Sequence, residues 1–369
     1  MGTTAHKEEE KGMSCVLRKP RNILLMWCLI PIVSMGCADL KTGVGSSAIR
    51  GQIDLKRVLS WLPTDTETLL VANGPFWMSN FQIGGEDYKN RRVTSEELEK
   101  QFEGQTLSLF NSNSLLEKRL ERKKVLFALE GSRHFRAPAD LGEMPFEGCA
   151  LAVFNEDLGD VRNAFMKDAA QAAVRIEEIE GQQVAEFEER MERDTWTMFI
   201  TFPQEGVLLV ATNKRFLQEM LARMRGAEGE RALPDTMPEW KHVNKQAQFW
   251  GLRHYDKQQE KEDPTSPFGG RRTANLPDDQ AIGLIYQCEP RKERNATITY
   301  LSGPTADTRK IEEGRFPSSS EPEATAGLHI QYRDLGPGVI QSIYDLSYSQ
   351  PLEWFFFVLM GNVGHAVYL

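Results

Sequence analysis

Beyond residue 54 the apolar positions follow two periods. Leu55, Val58, Leu59 and Leu62 share one helical face that stops at Pro63. A short apolar run, 68–72, then reads as a strand closed by Asn73, Gly74 and Pro75. Strand-length apolar runs recur at 124–130 and 149–154. Between 195 and 202, Trp196, Met198, Ile200 and Phe202 alternate with threonines, which marks a strand with one dry face. Pro203 to Gly206 reads as a turn and 207–212 as the returning strand. Two amphipathic helices stand out. One starts at Asp157 or Asp160 and turns Leu158, Val161, Phe165, Ala169 and Ala172 inward. The other is capped by Asn213, turns Phe216, Leu217, Met220, Leu221 and Met224 inward, and stops at Gly226.

The second half continues with predicted strands at 248–255, 281–287, 297–301 and 326–333 and a helix over 339–346. Long polar stretches, 257–279 and 302–323, separate them. A buried helix from Pro351 to Gly361, with Phe356 and Leu359 inward, and a last strand at 366–369 complete the reading. Sequential strands joined by short turns must pair antiparallel. The expected fold class is therefore α+β: antiparallel sheets flanked by amphipathic helices. Residues 52–226 form a first subdomain, 227–238 a linker and 239–369 a second subdomain. Strands followed by a helix recur in both halves, which leaves two similar subdomains open, although no residue-level repeat accompanies them.

The N-terminal segment carries a different signal. Arg18, Lys19 and Arg21 precede an uncharged run from Ile23 to Gly36 that ends at Cys37. A basic flank, an apolar stretch of about a dozen residues and small residues near a cysteine make an export signal. The stretch is shorter than the roughly 20 apolar residues a spanning helix needs, and Pro31 interrupts it. Ser34, Met35, Gly36 and Cys37 resemble the lipobox of bacterial lipoproteins. Gly36 and Cys37 match that pattern, while Ser34 and Met35 stand where Leu and a small residue are usual. The resemblance implies that Cys37 is lipidated and becomes the first mature residue. Cleavage after Ala38 without lipid, or a plain signal anchor, are the other readings of the segment. An acidic stretch at Glu8 to Glu10 is unusual ahead of a signal, and Met13 would make a more ordinary start. Residues 38–51, rich in Gly and Ser, read as a flexible tether. The resulting expectation is an exported cell-envelope protein, anchored to the membrane by N-terminal lipid and facing the extracytoplasmic side.

Charge narrows the partners. The chain has 44 basic and 53 acidic side chains, a formal net charge of −9. Such a balance repels phosphate backbones, so nucleic acid is not an expected partner. An envelope protein or a ligand of unassigned identity is. No phosphate-binding or dinucleotide-binding glycine loop, His-Glu-x-x-His helix or Cys-x-x-Cys pair occurs, so neither cofactor nor metal is expected. Cys149 and Cys288, the two cysteines beyond the signal, could pair in an oxidising compartment, but both lie in apolar strands and read more readily as buried free thiols.

The densest polar cluster is 249–256. On a strand, Trp250, Leu252, His254 and Asp256 point one way, and Phe249, Arg253 and Tyr255 the other. A histidine and a carboxylate on one face can orient each other for acid–base work. His254 and Asp256 are thus the candidate catalytic residues, with 257–279 as a rim. The leading functional reading is a binding or structural role outside the membrane. The alternative is an exported hydrolase using His254 and Asp256.

Overall fold

A computed structural model describes residues 54–73, 92, 94, 114–120, 123–134, 146–191, 194–254, 281–289, 294–303 and 329–348. The chain divides into units 1–47 and 48–369, and every described residue belongs to the second. The expected C-terminal helix with Phe356 and Leu359, the signal with Cys37, the tether, Asp256 and the 257–279 rim lie outside the described residues.

The described strands are β1 (Thr68–Asn73), β2 (Val125–His134), β3 (Phe146–Phe154), β4 (Arg175–Ile179), β5 (Gln182–Met191) and β6 (Asp194–Gln204). They continue with β7 (Val207–Ala211), β8 (Phe249–His254), β9 (Ala281–Glu289), β10 (Asn295–Ser302), β11 (Ile330–Gly336) and β12 (Val339–Asp345). All belong to one 12-stranded sheet in the order β11-β12-β10-β9-β8-β1-β2-β3-β7-β6-β5-β4. The α-helices among the described residues are short: α1 (Leu55–Trp61), α2 (Ser114–Leu120), α3 (Gly159–Gln171) and α4 (Lys214–Met224). A 3-10 turn spans Pro238–His242.

This corrects the expected fold class. Separate antiparallel sheets flanked by helices, in two similar subdomains, are replaced by one sheet-dominated body. The physical reason is the place of β1. It pairs antiparallel with β2 on one edge and with β8 on the other, so its backbone groups join strands of both halves into one ladder. Periodicity tells which face a side chain takes, not which strand lies beside it.

Two apolar layers cover the middle of the sheet. On one face Val71, Leu129, Leu151 and Leu209 pack under α1 and α4. On the other, Ala128, Ala150, Leu208 and Val210 pack with α2 and α3. Strands dry on both faces lose their alternation, which is why 149–154 and 207–211 read as continuous apolar runs. Towards the ends of the sheet alternation returns. In β12, buried Ile340, Ser342 and Tyr344 alternate with half-buried Val339, Gln341 and Ile343. The outermost strands carry charge, Arg175, Glu177 and Glu178 in β4 and Arg333 and Asp334 in β11, which discourages edge-to-edge pairing.

The locally specified elements appear close to their expected places. Asn213 accepts the backbone N–H groups of Arg215 and Phe216 at the start of α4, whose Phe216, Leu217, Met220 and Leu221 are buried. The helix α3 buries Val161, Phe165, Met166 and Ala169. It starts without a side-chain cap, and Asp157 instead accepts the N–H of Gly159 at 2.9 Å. Strands β6 and β7 form the expected hairpin.

Other elements differ. The helix expected over 339–346 is the strand β12. Gly336 and Gly338 hold φ at 128° and 74°, values that suit glycine, and turn the chain so that 339–345 pairs with β11 and β10. β2 also runs on through Arg133 and His134, past its expected end at Glu130.

Gly251 sits at the meeting of the two halves, opposite Leu70 on β1 and Tyr286 on β9. A Cβ there would fall on the Leu70 side chain and lie 2.7 Å from Leu69 O. Gly251→Ala is expected to destabilise the protein by about 1–3 kcal/mol through overpacking. A urea unfolding midpoint equal to the parent's would show that Leu70 yields freely.

Candidate functional site

The site grows from the end of β8. His254 closes that strand, donates its backbone N–H to Glu67 O at 2.9 Å and stands in register with Gly283 of β9. Facing it is the 3-10 turn 238–242. Pro238 opens the turn, and Glu239 falls in its first residues. Trp240 locks the turn to the sheet. Its ring meets Trp250 edge-on, with centroids 6.0 Å apart, and its Nε1 donates to Leu233 O at 3.0 Å and Pro234 O at 3.1 Å. Arg231 and Lys245 lie over the same ring, 5.6 and 4.4 Å from its centroid. The Asn244 N–H donates to Gln287 Oε1 and fastens the following loop to β9.

This packing drives Glu239 inward. Its side chain is 0% exposed, and its Oε1 lies 2.6 Å from His254 Nδ1, whose imidazole is 36% exposed. Gly283 makes the approach feasible: a Cβ there would fall on the Glu239 carboxylate and 2.8 Å from Arg253 O. Glu239 Oε2 is buried with no hydrogen-bond partner among the described residues, and Trp250 Nε1 is in the same state. His242, on the same turn, has its proton affinity lowered by burial and by Lys241, against a pull in the other direction from Glu239.

The carboxylate that meets His254 is therefore Glu239, fifteen residues upstream. The expected partner of His254, Asp256, lies outside the described residues. Nothing in the local pattern marks Glu239. An acidic residue after Pro at a helix start reads as a solvated first-turn residue, and only the docking of Trp240 on Trp250 buries it. Arg253 points to the opposite side of the strand, as alternation requires, and is buried there.

A second charged cluster lies further along the sheet. Arg133, 6% exposed, donates to Glu147 Oε2 at 2.7 Å, to Asp65 Oδ1 at 2.6 Å and to both carboxylate oxygens of Glu219 at 2.8 and 3.1 Å. Burial by itself would lower its proton affinity, and the bonds to Glu219, Asp65 and Glu147 more than reverse that. These partners come from the α1–β1 connection, β3 and α4, so the cluster ties helices to sheet. Its donors and acceptors are mutually paired, the mark of a structural clamp.

Among the described residues no group of three or more His, Cys, Asp or Glu side chains is arranged to hold a metal ion. Cys149 and Cys288 are free and buried. Burial pushes the Cys149 thiol up to about 12 and Cys288 up as well, which keeps both protonated and unreactive. No helix among the described residues is long and apolar enough to cross a membrane.

Comparison with known proteins adds little. No family model and no curated protein matches the chain. One solved structure, titled "Structure of crystal form IV of TP0453", aligns over 81% of this chain and 95% of its own, at 10% identity and a TM-score of 0.38. A likeness at that level supports no argument about fold or function.

Proposed function

We propose that the chain is an exported bacterial protein, anchored at the cell envelope through lipid on Cys37, whose body serves a binding or structural role on the extracytoplasmic side. The observation that carries this reading is the segment 18–37: a basic flank, a short uncharged run and a Gly-Cys ending. The Gly- and Ser-rich residues 38–51 then act as a tether between anchor and body. The acidic balance of the chain favours protein or small-molecule partners over nucleic acid.

Cys37→Ala is expected to release the protein from the membrane fraction or to block its processing. Intact mass of the parent protein should show a diacylglyceryl adduct on residue 37. A mature N-terminus at Asp39 without lipid would overturn the anchor.

One observation favours a second reading, a hydrolase working at His254. The Glu239 contact at 2.6 Å gives the imidazole the carboxylate partner that acid–base catalysis uses.

A further inference from the structure

We propose that the sheet is one strand repeat built twice, and that the second copy has exchanged an apolar filling for the Glu239–His254 pair, which makes the pair a site for acid–base work on an acyl ester rather than part of the scaffold. The catalytic use rests on the hydrolase reading above; the duplication does not.

Counted outward from the middle of the sheet, β1, β2, β3, β7 and β6 on one side correspond to β8, β9, β10, β12 and β11 on the other. β1 and β8 run antiparallel, and Leu69 and Val71 share an apolar layer with Trp250 and Leu252. A two-fold axis normal to the sheet, through the Leu70–Gly251 pair, therefore exchanges the two sets. Residues 63–73 and 244–254 then match one for one. The Asn73 N–H donates to Gln248 O at 2.8 Å, and the N–H of its counterpart His254 to Glu67 O at 2.9 Å. The Thr66 N–H donates to Pro63 O at 3.1 Å, and the Ala247 N–H to Asn244 O at 3.0 Å.

The irregularities recur at matching places. β2 steps over Leu126 between its partners Phe154 and Val153, and β9 steps over Ile282 between Ser302 and Leu301. The β6–β7 ladder slips just before the pair Gln204–Val207, and the β11–β12 ladder just before Gly336–Val339. Each of those turns holds a left-handed glycine, Gly206 at φ 68° and Gly338 at φ 74°. Their carbonyls accept the N–H groups of Phe154 and Ser302, both at 2.8 Å. Bulges are kept features of a fold, and two of them in matching register mark a repeated design. The copies share one ladder and are not separate subdomains.

The correspondence singles out the site. Near the axis the layer is apolar in both copies: Leu69 and Trp250, Val71 and Leu252, Leu129 and Ile285. α1 ends at Trp61 ahead of Thr68, and the 3-10 turn ends at His242 ahead of Phe249, which sets Glu239 in the place of Val58. Both are fully buried. His254 stands in the place of Asn73, and Gly283 in that of Phe127, the residue paired with Asn73. Three exchanges thus meet at one spot: the carboxylate, the imidazole 2.6 Å from it, and the glycine over which the carboxylate lodges. The first copy completes the same strands with Val, Asn and Phe, so the scaffold does not require the charge.

The test puts the first copy's residues into the second, in the full chain, as Glu239→Val with His254→Asn. Its urea midpoint should equal or exceed the parent's, because apolar packing replaces a buried charge. If that variant does not fold, Gly283→Phe is added, which completes the first copy's set and fills the space the carboxylate leaves. A midpoint below the parent's in both variants makes the pair scaffold and overturns the proposal. Hydrolysis of p-nitrophenyl acetate, read on the same samples, should fall to the rate of buffer alone. A parent no faster than buffer, or parental hydrolysis in a stable variant, overturns the acid–base use and the hydrolase reading with it, and leaves the duplication standing.

Discussion

Arg133→Met is expected to cost about 3–5 kcal/mol, the largest loss foreseen for one substitution in the described body. The side chain it removes holds three carboxylates. Glu147, itself 6% exposed, would be left charged in the interior with no counter-ion. Asp65 and Glu219 are about one-third exposed, so water would screen them and they add less. Arg133 also lies over the Phe216 ring, 5.2 Å from its centroid, so packing between β2 and α4 would loosen too. Pairing the substitution with Glu147→Met should recover much of the loss, because the orphaned charge goes with its partner. Arg133→Lys should fall in between: one ammonium cannot span three carboxylates as a planar guanidinium does. Urea unfolding of the three variants gives the values. A loss below about 1 kcal/mol for Arg133→Met would mean that Glu147 reaches water or another cation.

Glu130 should make stability fall as pH rises, the reverse of the usual carboxylate. It lies on β2 between Ala150 and Leu70, in the apolar layer of the α2 and α3 face. Burial raises its pKa from 4.5 to about 8, and its Oε2 has no partner among the described residues. The unfolded chain releases this proton near pH 4.5, whereas the folded chain keeps it until about pH 8. Below 4.5 both states hold the proton and the group makes no difference. Between 4.5 and 8 the unfolded state gains from ionising and the folded state does not, so stability drops by about 1.4 kcal/mol per pH unit. The total is on the order of 4–5 kcal/mol, reached above pH 8. Glu130→Gln keeps the shape and removes the titration. Its stability relative to the parent should climb steadily from pH 4.5 to 8 and then level off. Parallel stability curves for the two proteins across that window would show that the carboxyl is solvated or paired.

Both effects arise from residues that the linear pattern does not flag. Arg133 follows an apolar run and reads as a residue just past a strand end, where a guanidinium would normally be wet. The structure extends β2 through it and closes α4 and the α1–β1 connection over it. Glu130 ends the same run and reads as the polar stop of a strand. It is buried because β1 and β3 flank it on both sides. The same holds for Glu239, which meets His254 only after the 3-10 turn docks on Trp250.

Elements that depend on near neighbours along the chain are legible from the residues alone. Asn213 and the spacing of Phe216, Leu217, Met220 and Leu221 specify α4, since a cap and an apolar stripe act within a few turns. The alternation from Met198 to Phe202 and the turn before Val207 specify a hairpin whose two strands are local partners. The face of β8 that carries Trp250 and Leu252 follows from a period of two. Which strands lie side by side is settled only when the chain is folded. β1 is distant in sequence from β8 yet pairs with it residue by residue, and this merges two expected subdomains into one sheet. It also decided that 339–345 is a strand, because the pairing of β12 with β10 and β11 overrides a helical spacing of Val339, Ile340, Ile343 and Tyr344. The cause is common to each case. Backbone hydrogen bonds in a sheet and the burial of a charge are settled by partners far along the chain, and side-chain periodicity carries no record of who those partners are.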